Sequence, residues 1–358
     1  MKFKLYKNSE IFVICPANID TGGPMCLHQL AYKLKKKFKK KVHMYYFPTN
    51  LKNPIHKNYR SLKIPFKKKI LDFKKNILII PEYYPAVEIS KKYKNIQKGL
   101  WWLSVDFYLY HRFIYKNHSI MRSLIKIPHK IIKIINQLLF FQFKNLSLFK
   151  YLKLIYLNIP FYNVFKISNI NINLAHSYYQ YITLKSKNIN STYLSDSINS
   201  EYIKAGKKIS LKNKKNIICF NPRKSSAFFD RFVKLNPDIK FIPVIGYNLK
   251  QLIKLLSKSK IYMDFGFHPG QDRLPREAAL LKNCIITNRE GSAAFYKDVP
   301  IAEEFKFIEK RENHTKIRDK IDQIFASYTN ELEKFKSYRN FLLSQEKIYD
   351  KQITKLFK

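Results

Sequence analysis

The sequence has no stretch of about eighteen uninterrupted apolar residues, the length a membrane-spanning helix requires. Its first residues, MKFKLYKNSE, are polar and run straight into the strand-like IFVIC, so no secretory leader is expected and a cytoplasmic location is. Cysteine is scarce. Cys15, Cys26, Cys219 and Cys284 are scattered without metal-ligand spacing, and three of them sit in or beside apolar segments, which excludes a disulfide framework and predicts buried thiols with no zinc site. Arginine is scarce as well: eleven of the 68 basic residues, set against 25 acids, give a net charge of +43 that is almost all lysine. Lysine spread evenly with Ile, Asn and Phe reads as a coding bias, so charge alone identifies no partner. The arginines say more, because Arg223, Arg231, Arg273, Arg276 and Arg289 fall in one part of the second half, and a guanidinium fork suits phosphate.

What is present is apolar material in quantity. At 46% hydrophobic and 15% aromatic, the chain has ample surface to bury, and 358 residues favour two domains over one. In the first half, strands are expected at Ile11 to Cys15, Val42 to Phe47, Ile77 to Ile80, Leu100 to Val105, Asn171 to Ala175 and Ser191 to Leu194. The first is followed by the loop PANIDTGGP and a helix from about Pro24 to Phe38, so Gly22 and Gly23 mark either an anion site or an ordinary strand-to-helix turn. The first domain is expected over residues 1–200. A lysine-rich linker is expected at 201–216, a second domain at 217–311 and helices at 312–358.

Residues 106–165 break the pattern, being aromatic, basic and apolar. After Pro128, Lys130, Lys133, Gln137 and Lys144 lie near one side of a helix, with Ile131, Ile132, Ile134, Ile135, Leu138 and Leu139 filling a wide apolar arc. Such a helix either lies in the interface of an anionic bilayer or packs on the sheet with its lysines solvated.

The second half alternates strand and helix: Ile217 to Phe220, Ser226 to Leu235, Lys240 to Ile245, Leu249 to Ser257, Lys260 to Met263, Pro275 to Lys282, Cys284 to Thr287. That order specifies a parallel, doubly wound α/β sheet, in which ligands bind at the carboxyl ends of the strands. The polar residues fall there. Arg223 and Lys224 offer positive charge, Gly246 to Asn248 offers room, His268 to Glu277 places Asp272 and Glu277 among Arg273 and Arg276, and Gly291-Ser292 offers backbone N–H groups. A pyrophosphate needs cations and a ribose needs a carboxylate, so the inferred ligand is a nucleotide diphosphate. The competing reading pairs Asp272 with Arg273, and Arg276 with Glu277, as solvated partners at a helix start.

With these residues in place, the chain resembles the GT-B glycosyltransferases, in particular the group 1 type that builds bacterial surface polysaccharides. LPREAALLKNCIIT is similar to that family's glutamate-alanine helix and following strand, NPRK to its diphosphate-holding segment, and TGGP to its first-domain glycine loop. GLWWLSVD and STYLSDSIN are similar to segments of lipopolysaccharide and capsule transferases, and the likeness runs from about Ile11 to Phe307. The resemblance implies two Rossmann-like domains facing a cleft, with Glu277 on the donor ribose, Arg223 and Lys224 on the diphosphate, and Gly291-Ser292 lining the phosphate or sugar pocket. It also implies that Pro269 stands where the family commonly has a second glutamate, which leaves His268 or Asp272 to compensate.

The activity so implied is sugar transfer from a nucleotide sugar, as co-substrate, to a hydroxyl of a growing glycan or lipid-linked acceptor. No metal or other cofactor is expected, because cations and helix N-termini can stabilise the departing diphosphate. Asp106 ranks first among the acceptor-side carboxylates, ahead of Asp20 and Glu82, and each has the alternative reading of a helix cap. The expected partners are the nucleotide sugar, the acceptor and an anionic membrane surface. No helix-turn-helix, RNA-binding aromatic motif or zinc finger supports the rival reading as a nucleic-acid-binding protein. The other rival is a peripheral membrane protein without catalysis.

Overall fold

Apolar runs such as FVIC and ILII can be buried on both faces of a sheet only if helices cover both sides, and the chain builds that arrangement twice. The computed structural model describes residues 1–112, 115 and 164–357. They form two units, one from the amino-terminal part up to Ser197 together with the last helical turns from Glu346, the other from Ile198 to Gln345.

In the first unit six strands are ordered β2-β1-β3-β4-β5-β6: β1 Glu10–Pro16, β2 Lys41–Phe47, β3 Ile77–Pro81, β4 Gln97–Trp102, β5 Ile172–Ala175 and β6 Ser191–Tyr193. Every neighbouring pair is parallel. In the second unit five strands, also all parallel, are ordered β11-β10-β9-β7-β8: β7 Lys215–Phe220, β8 Lys240–Pro243, β9 Ser259–Asp264, β10 Cys284–Asn288 and β11 Lys306–Phe307. Counted from each unit's own first strand, the first five strands follow the same order in both, and the first sheet adds a sixth at its edge. In both, the first and third strands are neighbours, which creates a topological switch point between the loops that follow them.

Local chemistry sets the loop positions. The helix Ala227–Leu235 starts at Ser226, whose hydroxyl accepts from the Phe229 amide at 3.2 Å, a cap that stabilises by about 1 kcal/mol. The helix buries Phe229 and Phe232 against Phe241, each stabilising by roughly 1.5–3 kcal/mol. Truncating Phe232 to Ala would cost about 3–5 kcal/mol and loosen the loop that feeds the helix.

Two expectations change. Residues 201–216, expected as a linker, carry the helix Ser200–Lys207 and belong to the second unit; Gly206 packs so close to Leu280 that a Cβ would stand 2.3 Å from its carbonyl oxygen. The carboxy-terminal helices are not separate from the domains. Tyr338 and Leu342 of the helix Lys336–Phe357 belong to the core of the second unit, and Tyr349, Ile353 and Leu356 to the core of the first. Of the amphipathic segment 106–165, residues 106–112 are helical, in a helix that starts at 105, and the basic-apolar stretch after Pro128 lies outside the described residues. All four cysteines are buried and none is in a disulfide.

Candidate functional site

At the switch point of the second unit the loop after β7 meets the loop after β9. Lys224, from the first loop, is ion-paired with Asp272, from the second. His268 Nδ1 lies 3.0 Å from the other Asp272 oxygen, and its Nε2 is 3.1 Å from the Asp264 carbonyl. Lys224 and Asp272 keep 30% and 16% of their side-chain surface exposed, so the pair can meet a ligand, whereas His268 keeps 2% and cannot. Burial alone would push the Asp272 carboxyl up, but the Lys224 ammonium and His268 beside it hold it down at about 2. Burial raises Asp264; His268 is itself raised because the neighbouring Asp264 and Asp272 charges outweigh its burial.

The loops are pinned by close backbone approach. A Cβ on Gly266 would stand 2.1 Å from the Lys224 carbonyl oxygen, so this position brings the β7 loop onto the β9 loop. Gly291 has φ +55, and a Cβ there would stand 2.0 Å from the His268 carbonyl oxygen. The next residue completes the clasp. The Ser292 amide donates to the His268 carbonyl at 2.9 Å and its hydroxyl donates to the Gly270 carbonyl at 2.5 Å. Ser292 was expected to present an unhindered N–H to phosphate; that N–H is spent on holding the His268 loop. His268, expected as a catalytic candidate, is likewise buried, with both ring nitrogens engaged by Asp272 and the Asp264 carbonyl.

Arg276 is also structural: it is buried, donating to the Asp272 and Gln271 carbonyls at 3.1 and 2.9 Å and to Gln345 at 3.0 Å. Beneath it a cavity of about 10 Å³, bordered by Thr287 and Tyr338, has room for about one water. The hydroxyls of both residues are buried without a hydrogen-bond partner among the described residues. Arg289 serves Glu303 and the Lys306 carbonyl.

Arg273 and Glu277 sit one turn apart on the helix Arg273–Leu280, Nε to Oε1 3.8 Å, with Glu277 buried against the Tyr202 hydroxyl. Tyr202 went unnoticed in the sequence, hidden in the supposed linker. Arg223 occupies the same loop as Lys224 with an exposed side chain, and no described contact joins it to Glu277. Gly22 and Gly23 open the helix Gly22–Lys36 in the first unit, with Pro24 third in that helix and not first.

The acceptor-side carboxylates change order. Asp106 lies in the first turn of helical residues 105–112, fully buried, accepting from the Tyr179 hydroxyl at 2.9 Å, and so is not presented to solvent. Glu82 follows β3, is buried, accepts from the Leu103 amide at 3.1 Å, and burial pushes its carboxyl up to about 8. Asp20 follows β1 with 29% of its side chain exposed, accepts from the Tyr59 hydroxyl at 2.6 Å and also holds Asn58. Asp20 and Glu82 therefore flank the switch point of the first sheet, between β1 and β3.

Asp264, His268 and Asp272 each bring one ligand atom within 4.8 Å of the others, enough to consider a cation. The Lys224 ammonium already meets Asp272 and supplies the positive charge there.

No family model and no curated protein sequence matches the chain. Among solved structures, it is similar to Anabaena HepE in complex with UDP-glucose, at TM-score 0.56 and 8% identity over 97% of this chain and 98% of that one. The UDP complex of HepE gives TM-score 0.53 at the same identity and coverage. Sucrose-phosphate synthase from Thermosynechococcus elongatus gives TM-score 0.51 and 11% identity over 97% and 100% of the two chains. At these identities the likeness establishes the fold alone: two doubly wound parallel-sheet domains, as in the GT-B glycosyltransferases.

Proposed function

We propose that this protein is a glycosyltransferase that moves a sugar from a nucleoside-diphosphate donor to a hydroxyl of a growing cell-surface glycan, of the lipopolysaccharide or capsule kind, or of its lipid-linked precursor. The observation that carries the reading is the convergence of Lys224, Asp272, Arg273 and Glu277 on the switch-point loops of the second sheet. That HepE, a protein of the same architecture, binds UDP and UDP-glucose supports a uridine donor as the first to test.

In this reading Lys224 and Arg223 hold the diphosphate, with Asp272 keeping the ammonium in place until the donor arrives. Glu277, fixed by Tyr202, accepts from the ribose hydroxyls. As the bond between the sugar C1 and the β-phosphate oxygen breaks, negative charge grows on that oxygen. Lys224, Arg273 and the N-terminus of the helix Arg273–Leu280 stabilise it, so no resident metal is required. The acceptor oxygen forms the new bond to C1 and loses its proton to a carboxylate. Asp20, oriented by Tyr59, is the accessible one of the three candidates.

Work at the inner face of a membrane fits the charge distribution. Lys208, Lys212, Lys215, Lys254 and Lys258 border a groove of about 660 Å³, and none of them has an acidic partner among the described residues. No described helix is long and apolar enough to cross a membrane, so association would be peripheral.

A thermal-shift screen against UDP, GDP, CDP and ADP sugars, followed by detection of the released nucleoside diphosphate, tests the proposal. Stabilisation by one donor, lost in Lys224→Ala and Glu277→Ala, is the expected result. Absence of any shift and of any turnover, with salt-dependent binding of a generic oligonucleotide instead, would overturn it in favour of the nucleic-acid reading.

A further inference from the structure

In the first unit, three ligand-bearing side chains from distant parts of the sequence meet below the ends of the sheet. Cys26 comes from the helix Gly22–Lys36, His176 directly follows β5, and Asp196 follows β6. Cys26 Sγ is 3.8 Å from Asp196 Oδ2, His176 Nε2 is 3.3 Å from Asp196 Oδ1, and all three ligand atoms lie within 4.8 Å of one another. All three residues are buried. Zinc bound at about 2.0–2.3 Å by N, O and S in a tetrahedron places neighbouring ligand atoms roughly 3.3–3.6 Å apart, close to the two edges seen.

His176 adds an independent observation. It keeps 5% of its surface, yet neither ring nitrogen makes a hydrogen bond among the described residues. A buried imidazole with both nitrogens unsatisfied is costly. Its Nε2 lies 3.3 Å from Asp196 Oδ1, within ion-pair distance for a protonated ring but without forming a hydrogen bond, a relation that two ligands sharing one ion also have. Tyr349 is similar: it is fully buried, its hydroxyl has no hydrogen-bond partner among the described residues, and burial and then the nearby Cys26 and Asp196 push that hydroxyl up.

The loop is held ready. Gln352 accepts from both the Ser195 amide and hydroxyl at 2.8 Å, and Gln29 donates to the Ser197 carbonyl at 2.6 Å, so Asp196 is clamped from both flanks. Charge also closes: a Cys26 thiolate and an Asp196 carboxylate together balance a divalent ion, leaving a neutral buried site.

We propose that Cys26, His176 and Asp196 form a structural site for a divalent zinc ion, with the fourth position left to water or to the Tyr349 hydroxyl. Binding displaces the Cys26 thiol proton to solvent and joins Sγ to the metal, with no change of oxidation state. The ion ties together the first helix, the ends of β5 and β6 and the carboxy-terminal helix, and the inference is independent of the proposed sugar transfer.

The test uses the full chain, purified under reducing conditions without chelators. Mass-spectrometric metal analysis should find about one zinc per chain. Replacement by Co(II) should give a thiolate-to-cobalt charge-transfer band and the intense visible bands of a four-coordinate ion. Cys26→Ser should abolish the charge-transfer band, and His176→Gln should lower metal affinity at least tenfold. Should these variants fail to fold, the spectrum and stoichiometry of the unaltered protein still decide. Folded wild-type chain that holds no zinc at saturating metal and gives no charge-transfer band overturns the proposal, as does a band that persists in Cys26→Ser.

Discussion

Lys224 and Asp272 form an ion pair across the switch point of the second sheet, joining the loop after β7 to the loop after β9. The pair is partly exposed, so it is a poor source of stability and a good one of recognition. Lys224→Met should lower affinity for a nucleoside diphosphate about 10- to 100-fold, the loss of a charge-assisted contact. Asp272→Asn should weaken it less, because the ammonium remains. Titration calorimetry of both single variants and the double variant measures the coupling, and fully additive effects would mean that the pair does not act as a unit.

Gly291→Ala tests the clasp. The residue sits at φ +55 with the His268 carbonyl where a Cβ would go. An L-residue there costs about 1–2 kcal/mol from the backbone alone, before any clash. The expected outcome is a melting temperature lower by several degrees together with weaker donor binding, whereas Gly246→Ala, which meets the same backbone strain at φ +75 but has nothing within 4 Å to clash with, should lower the melting temperature less and leave donor binding unchanged. Equal binding in both variants would separate the clasp from the site.

Glu82 gives a dependence on pH. Its carboxyl is raised by burial from 4.5 to about 8, so between those values the folded state holds a proton that the unfolded state has released. Stability therefore falls as pH rises from about 4.5 towards about 8, the opposite of an ion-paired acid. Glu82→Gln should flatten that slope and melt higher than the parent at pH 8, measured by calorimetry across the window. A parent whose stability is level across it would show that Glu82 titrates normally.

Much of this was legible without coordinates because parallel sheets write themselves plainly. FVIC, ILII and CIIT are unbroken apolar runs, and the loops after them carry the polar residues, so both sheets and the position of Lys224, Asp272 and Glu277 followed from periodicity and turn chemistry. Side-chain direction did not follow. Ser292 and His268 lie at strand ends as expected, but Ser292 turns inward onto the His268 loop and the His268 ring onto Asp264 and Asp272 of its own loop, and Asp106 is buried, accepting from the Tyr179 hydroxyl. The supposed linker contains a helix because Tyr202 and Gly206 pack on neighbours far along the chain. Nor could spacing bring Cys26, His176 and Asp196 together, since it is the return of β5 and β6 to the sheet that does so.

In the proposed reading Glu277 serves the ribose and not the phosphates. Buried against Tyr202 and 3.8 Å from Arg273, it is oriented before any ligand arrives. Glu277→Gln keeps the volume and removes the charge, and should weaken a nucleoside diphosphate about tenfold while leaving inorganic pyrophosphate inhibition unchanged. Tyr202→Phe should produce a smaller loss of the same kind. Equal losses for nucleotide and pyrophosphate would assign Glu277 to the phosphates or to the fold.

Asp20 is the last test, and it divides binding from chemistry. It is the exposed carboxylate beside the switch point of the first sheet, held by Tyr59 and Asn58. If it takes the acceptor proton, Asp20→Asn should lower kcat about 10²- to 10⁴-fold with little change in donor KM, since general-base assistance is lost only in the transition state. Tyr59→Phe should cost much less, because it orients the carboxylate without receiving the proton. A variant that raises acceptor KM and spares kcat would make Asp20 a binding group and pass the proton to another acceptor-side residue.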